Sequence, residues 1–444
     1  MAKRQNQELV VPYQLYEQTR EVKEREQDAE KQFFYTVDYL QQIDESMKEI
    51  QVKVRNLVPV SVKDPITLNY LDVSVGGEPT TLVLSTLAKT QLISTIGNMS
   101  MSMWNRHAYN DVYIKLNGTE VPVSVGNVLL RSIFKRKART IRMAREYTDN
   151  EGRRIIGGLV SANAPKFKFG QFMEIGLRVI KDVFNMEPEY QAPYISDYGT
   201  VKMKMFLQDI STARSGVKLG VSVQENSFSY GLFKFGIEAY VAKCLNGVVI
   251  GYEGGVNFEA KHQNHTSFYG AFINVLNPRK DANGEFLNET EANIPIPLPS
   301  TEYEDYAIKI DGTPDNPNYE KLFSDLWRVQ LARFQGAVGT LKEEFALAIK
   351  NNIRDLSAEI KAWQKRDNSF TIDVAQWVEK TIKNGIEAGE LDAKDVTYVD
   401  LANAVSHAAN SSKITNKSAD KIIDLQELAG KVLRQRKPLA RINQ

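Results

Sequence analysis

The sequence predicts an α+β fold: a long N-terminal helical arm, a central mixed and largely antiparallel β core with hairpins and helices, and a helical C-terminal portion. Three observations carry that prediction. Residues 14–54 contain neither Gly nor Pro and are dense in Glu, Lys, Arg and Gln. The middle of the chain is built from short β-branched and aromatic runs divided by turn residues. Beyond residue 318 the apolar residues return to helical spacing. The corresponding organisation is an arm over 1–56, a central α+β domain over 57–300 and a helical region over 301–444.

In the arm, Phe33, Val37, Leu40, Asp44 and Met47 follow steps of three and four, joined by Phe34, Ile43 and Ile50. That spacing makes one apolar stripe on a helix, which buries against protein or another copy. LVPVSVKD and ITLNYLDVSVGG then alternate as strands. LSTLAKTQLISTIG reads as a short helix, with Ser85 or Thr86 as cap and Gly97 at its end. VYIKLNGTEVPVSV is a hairpin around Asn117-Gly118, since both turn positions need positive φ.

A helix is expected over 125–136, with Val128, Leu129, Ile133 and Phe134 towards the core. Strands follow over 140–147 and 153–161, joined by Asp149-Asn150-Glu151-Gly152. PKFKFGQFMEIGLRVIKDVF begins as loop or short strand and becomes helical near Gln171. VKMKMFLQ, VKLGVSVQENS and the aromatic, Gly-rich stretch 227–262 read as strands. Pro295, Pro297 and Pro299 mark an extended connector. Helices are expected from Tyr319 onward, then over 374–388, 398–410 and 420–434.

Composition limits function. The chain has 444 residues, with 56 Lys+Arg against 55 Asp+Glu. This balance argues against a uniformly basic coat, but a local basic surface remains compatible with it. The single cysteine, Cys244, allows no internal disulfide and fits a reducing, cytoplasmic setting. No apolar run is long enough for a membrane span.

The charge is concentrated in 134–145, FKRKARTIRMAR, where six cations stand without an acid. Lys135, Arg136, Lys137 and Arg139 fall where the expected helix passes into the expected strand. Arg142 and Arg145 follow on that strand, and Arg153 and Arg154 on its return. Cations spaced along a surface release counterions from phosphates. Lys166 and Lys168 alternate with Phe167 and Phe169, ahead of Phe172. That pattern suits base stacking beside phosphate contacts; it equally describes a half-buried strand. The expected nucleic-acid residues are therefore Lys135, Arg136, Lys137, Arg139, Arg142, Arg145, Arg153, Arg154, Lys166 and Lys168. The competing reading of the basic run is a solvated face balanced by acids such as Glu302–Asp305.

Enzymatic signatures are missing from the sequence. GYEGGVN and IIGGLVS lack the spacing of phosphate-cradling loops. His262 and His265 form the only close histidine pair, in a segment read as a surface loop, and no third ligand stands nearby. Cys244 lies among Val241, Ala242 and Leu245 with no evident base, as a small buried residue would. Trp327, Trp363 and Trp377 fall in expected helices as core residues. No catalytic residue, metal or cofactor is expected.

Several strings, in order, resemble a phage- and plasmid-encoded family classified as a domain of unknown function and labelled "phage/plasmid-like protein". They are LSTLAKTQL, RTIRMAREYTDNEGRRIIGGLVS, ENSFSYGLFKF, AKCLNGVVIG with Cys244, Asn246 and Gly247, and LANAVSHAAN followed by LQELAGKVL. The likeness runs over most of 84–433. It departs at Lys243, where an apolar or Arg-like residue is expected, and the N-terminal arm has no counterpart. The resemblance implies a mobile-element origin without an established activity. Its setting and layout are analogous to single-strand annealing proteins. The sequence-based expectation is a non-enzymatic, oligomeric phage or mobile-element protein that binds single-stranded DNA, with roles in annealing or recombination. The alternative is a structural or protein-interaction component of a phage without nucleic-acid contact.

Overall fold

The computed structural model describes residues 20–63, 65–70, 80–149, 152–196, 198–209, 217–228, 230–241, 246–249, 258–262, 265–276, 319–389, 391–409, 411–415 and 419–435. Cys244, Glu302–Asp305 and the proline connector lie outside the described residues.

Helix α1, Arg20–Ser46, buries most of the expected stripe: Phe33, Val37, Leu40 and Ile43 are within the core and Met47 follows them in, whereas Phe34 is exposed. The helix ends earlier than its composition implies. Residues expected to extend it form strand β1, Lys48–Lys53, in which Ile50 and Val52 take up strand alternation. The chain then lays down β2 (Leu57–Ser61), β3 (Thr67–Tyr70) and β4 (Thr80–Leu84). Helix α2, Thr86–Thr90, widens into a π turn over Gln91–Ile96. Ser85 caps it, its hydroxyl accepting the Ala88 N–H at 3.1 Å. Helix α3, Met101–His107, follows.

Strands β5 (Asp111–Leu116) and β6 (Thr119–Ser124) form the expected hairpin. Asn117 and Gly118 both take positive φ at its tip, 50° and 86°. Helix α4, Val125–Arg136, has the expected span, but its core face is Leu130 and Phe134, while Val128 is half exposed. Strands β7 (Ile141–Thr148) and β8 (Arg154–Val160) complete a six-stranded sheet ordered β1-β7-β8-β4-β3-β2. All of its pairings are antiparallel except β4 with β8.

Helix α5, Phe169–Arg178, begins two residues before the expected Gln171. Short strands β9 (Glu189–Tyr190) and β10 (Tyr194–Ile195) lead into β11 (Thr200–Asp209), β12 (Val217–Asn226), β13 (Leu232–Val241), β14 (Asn246–Val249) and β15 (Phe258–Lys261). These make a second antiparallel sheet, β10-β11-β12-β13-β14, with β9 on β11 and β15 on β13. The helices are α6 (His265–Leu276), α7 (Tyr319–Lys350), α8 (Leu356–Arg366), α9 (Ile372–Glu387), α10 (Tyr398–Ala409), α11 (Ser412–Thr415) and α12 (Ala419–Leu433).

The chain is thus α+β with a helical C-terminal part. One core joins α1 and α5 to the second sheet and to the C-terminal helices, so it crosses the expected boundary at 300. A second core fills the space between the first sheet and α2–α4. The expected arm belongs to both layers: its helix enters the large core and its last residues are the edge strand of the first sheet. The α1–α5 approach is close. A Cβ on Gly170 would stand 2.4 Å from the Gln41 nitrogen, so only glycine fits there.

Candidate nucleic-acid interface

The basic run divides into an exposed group and an internal group. Helix α4 ends in Lys135 and Arg136, both exposed, and Lys137 follows as its cap. A tight turn, closed by the Thr140 N–H donating to the Lys137 carbonyl at 2.9 Å, presents Arg139 to solvent. Arg142 is half-buried on the first turn of β7, beside Val52 of β1.

Pairing of β1 with β7 adds two cations that the linear sequence does not group with this run. Lys53 stands opposite Ile141, and the Val54 N–H donates to Thr140 at 3.0 Å, which brings Arg55 alongside. Lys53 and Arg55 are exposed. Among the described residues, no carboxylate forms an ion pair with Lys53, Arg55, Lys135, Arg136, Lys137, Arg139 or Arg142. Seven cations from three neighbouring segments therefore share one end of the first sheet. Five of them form one run in the sequence, and Lys53 and Arg55 join it only through the β1–β7 register.

Arg145 has a different role. Its side chain is 1% exposed. The register shifts between Arg145 and Glu146, where Gly157 of β8 is the extra residue left out of the pairing. Its Nε donates to Glu49 at 2.9 Å, Nη1 to the Phe228 carbonyl at 3.1 Å, and Nη2 to the Ala164 and Pro165 carbonyls at 3.1 and 3.0 Å. Burial lowers its pKa and Glu49 opposes that shift. A guanidinium held on four internal acceptors is withdrawn from any phosphate. It ties β1 and β7 to the segments leading into α5 and β13.

Arg153 and Arg154 are exposed but paired. Arg153 donates to Asp149 at 2.7 Å, and Arg154 makes a two-pronged contact with Glu146 at 2.8 Å on each arm. Their charge is locally offset, and they lie at the far end of β7–β8 from Arg139. Lys166 and Lys168 also fall away from the basic end. The intervening Phe167 and Phe169, with Phe172, are fully buried in an aromatic core with Phe233, Phe268 and Trp327. The Lys166 carbonyl accepts both the Tyr269 and Tyr319 hydroxyls, at 2.7 and 3.0 Å, and the Lys168 ammonium stands 5.7 Å from the Tyr319 ring. These aromatic rings are packing elements, unavailable to bases. Trp327 and Trp363 are buried and Trp377 is partly buried against the same core.

The structure corrects the surface-loop reading at His262. Its side chain is fully buried, stacks on Phe268 and places Nε2 2.7 Å from Glu225. Asp44 also lies in this interior. Its Oδ2 accepts the Gln171 N–H at 3.0 Å, at the start of α5. Burial pushes its pKa up to about 7, against the lowering effect of the α5 backbone N–H groups and Lys168.

A second buried charge cluster joins the second sheet to α12. Lys204 lies 2.5 Å and Lys202 3.5 Å from Glu238, while Gln426 of α12 accepts from both lysines. Burial pushes Lys202 down to about 8. Burial alone would raise the Glu238 carboxyl, but the two lysines hold it below the usual range. The cluster fastens the C-terminal helix to the sheet, and its charges face one another. Among the described residues no group of His, Cys, Asp and Glu is arranged to hold a metal ion. No helix among them is long and apolar enough to cross a membrane.

Comparison with known proteins returned no matching family model, no matching curated protein and no matching solved structure.

Proposed function

We propose that this chain binds single-stranded nucleic acid through the basic end of its first sheet, without catalysing a reaction on it. The observation that carries the reading is the convergence of Lys53, Arg55, Lys135, Arg136, Lys137, Arg139 and Arg142 with no carboxylate paired to them among the described residues. In a chain whose acids and bases nearly cancel, such a site attracts a polyanion locally. Each phosphate engaged displaces condensed counterions, and that release drives binding. The preference for a single strand, and a role in strand annealing within a phage or mobile element, follow the resemblance of the motifs and the analogy with annealing proteins.

The test replaces Arg136, Lys137, Arg139 and Arg142 together with Ala and measures binding to a labelled single strand. The expected result is a large loss of affinity with unchanged unfolding behaviour. Retained affinity in the folded variant would remove the assignment. A protein-interaction component without nucleic-acid contact is the second reading, favoured by the solvent-exposed β5–β6 hairpin.

A further inference from the structure

The helices that cover the first sheet carry no acid. Two stretches of the chain, 79–110 and 121–145, contain no Asp or Glu, although 55 of the 444 residues are acidic. They supply α2 with its π turn, α3 and α4, all packed on that sheet. Ordinary soluble surfaces intersperse both signs of charge, and a field of one sign steers a partner of the other. The inner faces of these helices fill the core, through Leu92, Ile96, Trp104, Leu130 and Phe134.

Their outer faces form a path that starts at the basic end. On α4, Val128, Arg131 and Lys135 recur at steps of three and four, on one exposed face. The helix has 12 residues and is about 18 Å long. Its C-terminus, with Lys135 and Arg136, belongs to the basic end. Its N-terminus is joined to the end of α3: the Gly126 N–H donates to the Ala108 carbonyl at 3.1 Å, and a Cβ on Gly126 would stand 2.6 Å from that oxygen. Arg106 and His107, both exposed, therefore lie at the far end of α4. Among the described residues no carboxylate pairs with Arg106 or Arg131. Cations in the last turns of α3 and α4 also suit the negative ends of those helices. Arg131 stands more than a turn before its helix end, outside that explanation. Apolar surface lies among these cations, at Met103 of α3 and Val128 of α4, 52% and 50% exposed. A phosphate gains nothing from such surface, whereas the flat face of a base can cover it. The hairpin between the two stretches brings back acids, Asp111 and Glu120, and bounds the path there.

Resting on the assignment of the basic end to nucleic acid, we infer that a bound single strand continues from that end along the outer face of α4 to α3. Arg131 and Arg106 hold further phosphates, and Val128 and Met103 lie under bases between them. Paired bases keep their faces inside the duplex stack, so the apolar positions on this path select for a single strand.

The test uses the full chain and a labelled oligothymidylate across a salt series. Arg106→Gln combined with Arg131→Gln should lower the salt slope by about 1.4, at about 0.7 for each phosphate lost, with the unfolding midpoint unchanged. Met103→Trp places an indole on the path. Its fluorescence, read as the difference from wild type, should be quenched by the oligothymidylate and not by a duplex of the same length. Ile372→Trp, exposed on α9 against the large core, should respond to neither. If Ala at Arg136, Lys137, Arg139 and Arg142 flattens the slope while the Arg106 and Arg131 pair leaves it unchanged, the strand stops at the basic end and this inference alone falls. Binding that leaves Met103→Trp unquenched, as a face reserved for a protein partner would, also overturns it, and so does equal quenching by the duplex. Absence of binding by the wild-type chain removes the assignment of the basic end and this path together.

Discussion

Arg139 and Arg145 lie six residues apart in one basic run, and their surroundings set very different costs for losing them. Arg145→Met strips Glu49 and three carbonyls of their partner inside the protein. Glu49 is 31% exposed and can turn to solvent, so the cost falls on the internal carbonyls, about 1–3 kcal/mol for one left without a donor. Arg139→Ala, at an exposed turn, should stay within about 0.5 kcal/mol. Urea unfolding of the two variants checks the contrast; equal stabilities would refute the division of the run into internal and external groups. Asp44 supplies a pH signature. Its folded pKa of about 7 exceeds the ordinary carboxyl value of 3.8, so the folded state holds a proton that the unfolded state releases between those values. Its contribution to stability is complete below pH ~4 and is lost as pH rises through ~7, on the order of a few kcal/mol. Asp44→Asn should flatten that part of the stability profile, read by thermal unfolding across the same pH window. An unchanged slope would show that Asp44 titrates elsewhere.

Among the elements, the hairpin and the helix α2 were legible because their signals are local. Asn117-Gly118 supplies two positive-φ residues, and Ser85 caps its own helix. Elements whose limits depend on distant partners were read less well. The α1 helix stops at Ser46 because β7 offers backbone partners to residues 48–53, which composition alone assigns to helix. The core face of α4 is Leu130 and Phe134, while the equally apolar Val128 stays half exposed. His262, in a segment that reads as a surface loop for want of further ligands, is enclosed by Phe268 and Glu225. The α1–α5 contact carries its own prediction. Gly170→Ala pushes a methyl group against the α1 backbone and should cost about 1–3 kcal/mol, the range for overpacking a core. Denaturant titration measures it, and a neutral result would mean that α1 shifts freely on α5.

At the scale of the whole molecule, fold class was readable and the division into three parts was not. Strand and helix periodicities are properties of short windows. The sharing of one core by α1, the second sheet and α7–α12 depends on contacts far apart in sequence. The same distinction applies to the basic end. Lys135–Arg142 announces itself as a run, but Lys53 and Arg55 join it only through the β1–β7 register, and Arg145 leaves it through burial. What remains is a compact set of cations on a nearly neutral chain.

The measurement that tests this account most directly is fluorescence anisotropy of a labelled single strand against the purified full chain, repeated across a salt series. Affinity should fall linearly on logarithmic axes, with a slope of about −0.7 for each phosphate engaged. Replacing Arg136, Lys137, Arg139 and Arg142 with Ala should flatten that slope by up to about 3 if each cation meets one phosphate. Absence of binding even at low salt, or a slope the four substitutions leave unchanged, would contradict the assignment of the basic end to nucleic acid.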